Sequence, residues 1–244
     1  MGFINYANMV LMPDRQGNAE KLLTIYKRLL DVYGPQHWWP ADEPFEVMVG
    51  AILTQSTAWL NVEKAITNLK TAGALSPQAL RRLSQSEVAA LIYPSGYFNV
   101  KAHKLKAMVE WLGYFRDNLE ELFLVEANEL RRQLLAVWGI GEETADSIIL
   151  YAANKPVFVI DAYTRRIIDH IGLAREGNSY SAYQSLFMKN LPADVKLFNE
   201  YHALLVCLGK NVCRRQPLCR ECCLRDMCDT AWGLPNLDGS RKVG

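Results

Sequence analysis

Apolar residues recur along this chain at spacings of three and four, the interval that stacks side chains on one face of an α-helix. Between residues 19 and 33, Leu22, Leu23, Tyr26, Leu29 and Leu30 form such a stripe and predict an amphipathic helix. Pro35 and Pro40 then break the chain before a second apolar stretch, Phe45 to Leu53. The same periodicity predicts helices over 59–71, 77–83, 85–93, 100–117, 127–136, 143–154, 162–171, 180–189 and 194–208. Two starts are legible in detail. Ser76–Pro77 pairs an N-cap with a first-turn proline, and Ser84 with Glu87 has the spacing of a capping box. Alternation at period two, the mark of a strand, is confined to Val157–Ile160. The expected fold class is all-α.

The stretch 155–161, Lys-Pro-Val-Phe-Val-Ile-Asp, is the best candidate for a crossing between two domains. Residues 233–244 are rich in glycine and polar groups and read as a flexible tail. With 244 residues, half of them hydrophobic and 22% charged, the chain has the composition of a soluble globular protein. No apolar run reaches the ~18 residues of a membrane span, and no basic segment precedes an apolar one at the N-terminus. The expectation is a cytoplasmic protein, neither secreted nor membrane-bound.

The formal net charge is only +1, which by itself does not favour a nucleic-acid partner. The positive charge is nevertheless clustered. Lys210, Arg214, Arg215, Arg220 and Arg225 lie close together, as do Arg131 with Arg132 and Arg165 with Arg166. Solvated surface charge explains most runs of this kind.

Cysteine usage changes the picture. Five of the six cysteines fall between Cys213 and Cys228, and Cys213, Cys219, Cys222 and Cys228 are spaced C-x5-C-x2-C-x5-C. Short loops bring four thiolates together at little entropic cost. The pattern suits a metal centre in a reducing compartment better than scattered disulfides. An iron–sulfur cluster and a four-thiolate zinc both fit it, with a metal-free thiol group a weaker third. Cys223 adjoins a candidate ligand, and Cys207 reads as a small core residue on the helix 194–208.

A second feature is Leu135-Ala136-Val137-Trp138-Gly139-Ile140-Gly141, which opens directly into a helix beginning Glu142-Glu143-Thr144. Glycines allow close backbone approach, and a helix N-terminus offers N–H groups to an anion. A plain tight turn would leave the same trace. In context the segment resembles the helix-hairpin-helix of the endonuclease III superfamily of DNA glycosylases, which grips phosphates without reading sequence. That superfamily carries an aspartate eighteen residues after its catalytic lysine. Asp161 follows the extended Val157–Ile160, and Glu143 lies eighteen residues before it. The cysteine run resembles the same family's C-terminal loop, which holds a [4Fe–4S] cluster, although many relatives have six residues in the first gap where this chain has five. The resemblance covers roughly residues 30–230, with hairpin, aspartate and cluster in the family's order.

The resemblance implies two helical lobes with a cleft between them. One is a helical barrel over 45–155 containing the hairpin; the other joins 1–44 to 156–232 and carries the cluster loop. Asp161 is expected to face the hairpin across that cleft. It implies a double-stranded DNA substrate with a damaged base, a nucleoid-associated bacterial or archaeal setting, and a monomer. Gly139, Ile140 and Gly141 would meet the phosphates, and Tyr97 or Phe98 would wedge into the duplex. Gln55 would fill the gap left by the extruded base.

Bifunctional family members attack the sugar with a lysine amine. Glu143 has no amine, and with Glu142 it also suits a first helical turn by complementing the macrodipole. The expectation is a monofunctional enzyme in which Asp161 stabilises the oxocarbenium-like sugar and orients or deprotonates water. Asp161 also suits a helix N-cap, and the two roles are compatible. The base pocket would be built from Trp39, Pro40, Gln55, Trp59 and Glu143. The segment His37-Trp38-Trp39-Pro40 and Trp59 resemble the 3-methyladenine glycosylase branch, in which two aromatic faces sandwich the base. A cationic alkylated purine is well matched to tryptophan faces. Tryptophans beside a proline also read as core packing. Two other functions stay open: excision of mismatched or oxidised pyrimidines, and a non-catalytic iron–sulfur DNA-binding protein.

Overall fold

The computed structural model describes residues 13–173 and 177–233. The expected flexible tail therefore lies outside the described residues, apart from Gly233. Thirteen α-helices follow one another, with no strand among the described residues. They are α1 (Pro13–Tyr33), α2 (Pro44–Leu53), α3 (Trp59–Thr71), α4 (Pro77–Arg82), α5 (Gln85–Leu91), α6 (Phe98–Gly113), α7 (Leu119–Leu122), α8 (Ala127–Ala136), α9 (Glu142–Ser147), α10 (Ala162–Ile171), α11 (Tyr180–Asn190), α12 (Val195–Asn211) and α13 (Asp229–Trp232). No helix among the described residues is long and apolar enough to cross a membrane. The all-α expectation holds. The described residues divide into two compact units, one of 37–159 and one of 13–36 with 160–173 and 177–233.

The first of these units is organised around α2. Every residue from Phe45 to Leu53 is buried, so α2 is apolar on all sides and packs against α3, α6, α9 and the turn after α9. Its one carboxylate, Glu46, is buried too. It is satisfied by Lys70 Nζ at 2.9 Å and by the Asp42 N–H at 3.2 Å, the pairing a buried charge requires. Ser76 and Ser84 both cap as their sequence contexts predict. Ser76 accepts from the Ala79 N–H, and Ser84 and Glu87 form a reciprocal capping box.

Three of the helices that depart from the periodicity do so for a local reason. The predicted 100–117 helix starts at Phe98 and stops at Gly113. Arg116 and Asp117 adopt left-handed φ of 53° and 59°, the Asp117 N–H turns back to Leu112 O at 3.1 Å, and its carboxylate is held by Arg81 at 2.6 and 3.0 Å. The predicted 85–93 helix ends at Leu91 and passes into a 3-10 turn, Tyr93–Ser95, because Pro94 has no N–H to continue it. The predicted 143–154 helix is α-helical only from Glu142 to Ser147, and Ile148–Ala152 widen into a π turn. Such turns recur at functional sites.

In the other unit α1 packs on α11 and α12, and α10 packs on α12 and α13. Ala19, Leu22, Ile25 and Leu29 are the buried residues of α1, with Leu23, Tyr26 and Leu30 half-buried. The buried face is thus rotated toward Ile25 relative to the predicted stripe. Tyr201 of α12 is fully buried and donates its hydroxyl to Leu22 O at 2.8 Å. Burial raises its pKa well above the ordinary phenol value.

Candidate active site and cysteine loop

In the unit of residues 37–159, the segment before α2, the start of α3 and the turn after α9 bring several aromatic side chains together. Trp38 and Trp59 have ring centroids 4.6 Å apart, Trp38 and Trp39 are 5.2 Å apart, and Trp39 lies 5.3 Å from Tyr151. Trp39 lies against the backbone of α2, where a Cβ at Gly50 would stand 3.0 Å from its ring. The indole of Trp59 donates to Glu63 Oε1 at 2.7 Å. The expected sandwich is corrected here. Trp39 and Trp59 meet edge to face at 5.4 Å and 85°, so no parallel slot separates them. An edge-to-face contact is the favoured geometry of two touching rings. Pro40 is exposed. Tyr151, which sequence reading missed, joins the group because the π turn after α9 presents it.

Gln55 sits in the turn between α2 and α3. Its amide nitrogen donates to Thr144 Oγ1 at 2.9 Å and to Gly139 O at 3.3 Å, and its oxygen accepts from Lys104. It is thereby fixed to the hairpin. Gly139 has φ +83°, and a Cβ there would enter the Lys104 stem, so this position requires glycine twice over. Gly141 has an ordinary extended φ of −94° and caps α9 with no side chain. The side chain of Ile140 is 5% exposed and belongs to the hydrophobic core, and its N–H closes the turn onto Val137 O at 3.1 Å. Glu143 is exposed in the first turn of α9, and its carbonyl accepts from Ser147 Oγ at 2.7 Å.

The two helices of the hairpin are locked by a buried ion pair. Asp146 is fully buried, and Arg131 of α8 grips it through Nε at 2.7 Å and Nη2 at 3.1 Å. Arg131 also reaches Glu142 at 3.4 Å. Arg132 pairs with Glu129 at 2.6 Å. The Arg131–Arg132 run is thus engaged within its own unit, as the solvated-charge reading anticipated in part.

The two wedge candidates separate clearly. Tyr97 is 73% exposed and sits in the left-handed region at φ 44°, next to Gly96 at φ 65°. Phe98 is corrected: it is half-buried, 4.8 Å from Tyr93, and packed against the core. Behind this turn Lys101 is buried, and burial together with Lys104 pushes its ammonium down to about 8.

In the other unit Asp161 caps α10. Its Oδ1 accepts from the Thr164 N–H at 2.7 Å, and its Oδ2 stands 3.8 Å from His202 Nε2 of α12. His202 is buried, and that burial lowers its pKa below the ordinary imidazole value while Asp161 opposes the shift. A neutral imidazole beside a carboxylate is the state this burial favours.

The cysteine loop follows α12. Cys213 and Cys228 are buried, and Cys219 and Cys222 are half-buried. Burial pushes the Cys213 thiol up to about 11, with Cys222 and Cys228 adding to the shift. Cys222 and Cys228 rise for the same main reason, with Cys219 near both. Thiols within electrostatic reach of each other are suited to a positively charged centre that binds them as thiolates. Cys213, Cys219, Cys222 and Cys228 thus fit the expected cluster in donor chemistry. Among the described residues, no three His, Cys, Asp or Glu side chains close around a single ion. Arg166 donates to Cys213 O at 2.8 Å and Gly209 O at 3.0 Å, anchoring the start of the loop. Arg165 lies over the rings of Tyr180 and Tyr183. Arg214, Arg215, Arg220 and Arg225 remain exposed.

Residues 49–193 match the HhH-GPD superfamily of base excision DNA repair proteins. The chain belongs to that superfamily. A Methanocaldococcus jannaschii protein, MJ1434, to which DNA repair glycosylase activity is ascribed, is 42% identical over 216 residues, 88% of this chain and 98% of that one. Endonuclease III of Sulfolobus acidocaldarius is 28% identical over 186 residues, 75% of this chain and 81% of the relative. The crystal structure of the Helicobacter pylori 3-methyladenine DNA glycosylase MagIII, bound to 1,N6-ethenoadenine, superposes with a TM-score of 0.68 at 28% identity, covering 79% of this chain and 97% of that one. A non-covalent endonuclease III–DNA complex shares the fold with a TM-score of 0.75 at 19% identity, over 87% and 96% of the two chains.

This chain is therefore a DNA glycosylase of the endonuclease III-like branch, acting on DNA in base excision repair. The superfamily match contains the Gln55 turn, the hairpin, Glu143 and Asp161, and it ends before the cysteine loop.

Proposed function

We propose that this HhH-GPD protein is a monofunctional glycosylase that removes alkylated purines, such as 3-methyladenine, from double-stranded DNA. The observation that carries the reading is the convergence of Trp38, Trp39, Trp59 and Tyr151 in the unit of residues 37–159. Alkylation at N3 or N7 makes a purine cationic and a good leaving group. A cation gains from an indole face, by about 0.5–2 kcal/mol depending on desolvation. The MagIII likeness supports the same substrate class.

Asp161 supplies the carboxylate. With Oδ1 held by the Thr164 N–H, Oδ2 stabilises positive charge at the sugar and accepts a proton from water. The water oxygen bonds to C1′, the N-glycosidic bond breaks, and the base leaves with the bonding electrons. Glu143 stands at the family's lysine position and has no amine, so no Schiff base forms and strand nicking does not follow. Gln55 fills the vacated stack, Tyr97 wedges the duplex, and the backbone around Gly139 and Gly141 meets phosphate. Cys213, Cys219, Cys222 and Cys228 hold a [4Fe–4S] cluster, whose chemistry here is to fix the basic loop. The enzyme acts as a monomer.

Single-turnover base release tests this reading, with methylated duplex DNA compared against duplexes carrying uracil or oxidised pyrimidine. The expected result is release of 3-methyladenine without nicking, slowed about 10²–10⁴-fold in Asp161→Asn. Release confined to pyrimidines would overturn the substrate assignment, and nicking by the wild type would overturn the water mechanism.

A further inference from the structure

We propose that Lys101 is a positioning residue that clamps the Gln55 turn to the Tyr97 turn, so that both side chains enter DNA as one unit. The inference rests on the reading of Gln55 and Tyr97 as the residues that invade the duplex. Lys101 lies in the first turn of α6, immediately after the Tyr97 turn, and is only 2% exposed. An ammonium has three N–H groups, and each has an acceptor. Leu53 O, at the end of α2, lies 2.8 Å from Nζ; Thr57 Oγ1 lies at 2.6 Å and Ser95 O at 2.7 Å. Two acceptors flank Gln55 and the third precedes Tyr97 by two residues. Thr57 Oγ1 is also within hydrogen-bond reach of both Gln55 O and Ser95 O.

Packing alone does not call for a charge here. An uncharged side chain of similar length would fill the space without losing hydration. What an ammonium adds is the capacity to gather three oxygens from two separate segments. Both segments need such a hold. Ser56 has φ 53° and Tyr97 φ 44°, left-handed conformations that non-glycine residues keep only when their surroundings over-determine them. One helical turn further along α6, Lys104 donates to the Gln55 amide oxygen. Helix α6 therefore holds the Gln55 turn from beneath and at its tip. Lys101 touches neither substrate nor reacting atoms.

The test is stopped-flow fluorescence with a duplex carrying a tetrahydrofuran abasic-site analogue opposite 2-aminopurine, which reports invasion whatever lesion the enzyme prefers. Gln55→Ala and Tyr97→Ala are each expected to slow the fluorescence change, and Lys101→Met to slow it by about tenfold or more. Affinity for undamaged duplex should stay near wild type in Lys101→Met, which a merely structural role would not predict. Combining Lys101→Met with Tyr97→Ala should slow invasion by less than the product of the two single effects, since the clamp acts in part through Tyr97. Should Lys101→Met fail to fold, Thr57→Val removes the shared acceptor at nearly constant volume and should slow invasion in the same direction. Wild-type rates in Lys101→Met or Thr57→Val, or full additivity with Tyr97→Ala, would overturn the clamp alone. If Gln55→Ala and Tyr97→Ala leave the rate unchanged, the reading of those two side chains falls and the clamp falls with it.

Discussion

The hairpin and the cysteine loop each present backbone and basic groups at the surface, yet they are held by opposite means. The hairpin grows out of a packed core: Val137 and Ile140 are buried in it, and the Arg131–Asp146 pair closes it from within. The cysteine loop, residues 212–228, contains only two short 3-10 turns, Cys219–Glu221 and Arg225–Met227, with no buried residue in either. Its buried members are Cys213, Leu224 and Cys228. One region gets its shape from hydrophobic burial and a paired charge, whereas two of the other's three buried residues are cysteines. The hairpin therefore takes its shape from its own core, whereas the proposed cluster would supply to the loop what its sparse packing does not.

The sharpest way to break this comparison is to remove the loop's centre. Cys219→Ser, or chelation of the iron, should abolish visible absorption and iron binding and unfold residues 212–228. For comparison, a structural metal contributes on the order of 10 kcal/mol to the fold of a small zinc finger. Hydrogen exchange should register the loss there while amides of α2, α6 and α8 keep their protection. Loss of protection throughout residues 37–159 would show that the hairpin depends on the cluster as well.

The reciprocal experiment breaks the hairpin. Arg131→Met leaves the fully buried Asp146 without its main partner, and stranding one member of a buried pair costs about 3–5 kcal/mol. Denaturant unfolding should show that loss, and Asp146→Asn should relieve part of it in the double variant. Iron content should be unchanged. A loss below about 1 kcal/mol, the range of a surface pair, would mean that the core holds the hairpin without Arg131.

The same contrast explains what the sequence disclosed. Elements set by periodicity and local capping were legible: α3, α8 and α10 have the predicted bounds, and the Ser76 and Ser84 caps form as their neighbours require. The family itself was legible, because the spacing within its motifs is local. Contacts between distant residues were not. Nothing near Arg131 marks Asp146 as its partner, and Ile140, between two glycines, gave no sign that it turns inward. The orientation of Trp39 and Trp59 depends on Trp38, whose ring adjoins both. Nothing in the sequence marked Lys101, because its acceptors, Leu53 O, Thr57 Oγ1 and Ser95 O, come from two other segments.

The smallest expected effect separates the two units by pH. His202 is the buried imidazole beside Asp161, and burial sets its folded pKa below 6.5. As pH falls below about 6.5, the unfolded chain takes up a proton that the folded chain refuses. Stability therefore drops with acid, by at most about 1.4 kcal/mol per pH unit from this one site, until the folded pKa is reached. Asp161 works against the shift, because its negative charge favours the imidazolium. Asp161→Asn should accordingly lower the folded pKa further and extend the loss to lower pH, while His202→Gln should remove this contribution. Unfolding midpoints measured from pH 7 to pH 5, with hydrogen exchange to assign them, should place the slope in α10 and α12. An identical slope in His202→Gln would assign the acid sensitivity to other groups and leave Asp161 held by its Thr164 contact.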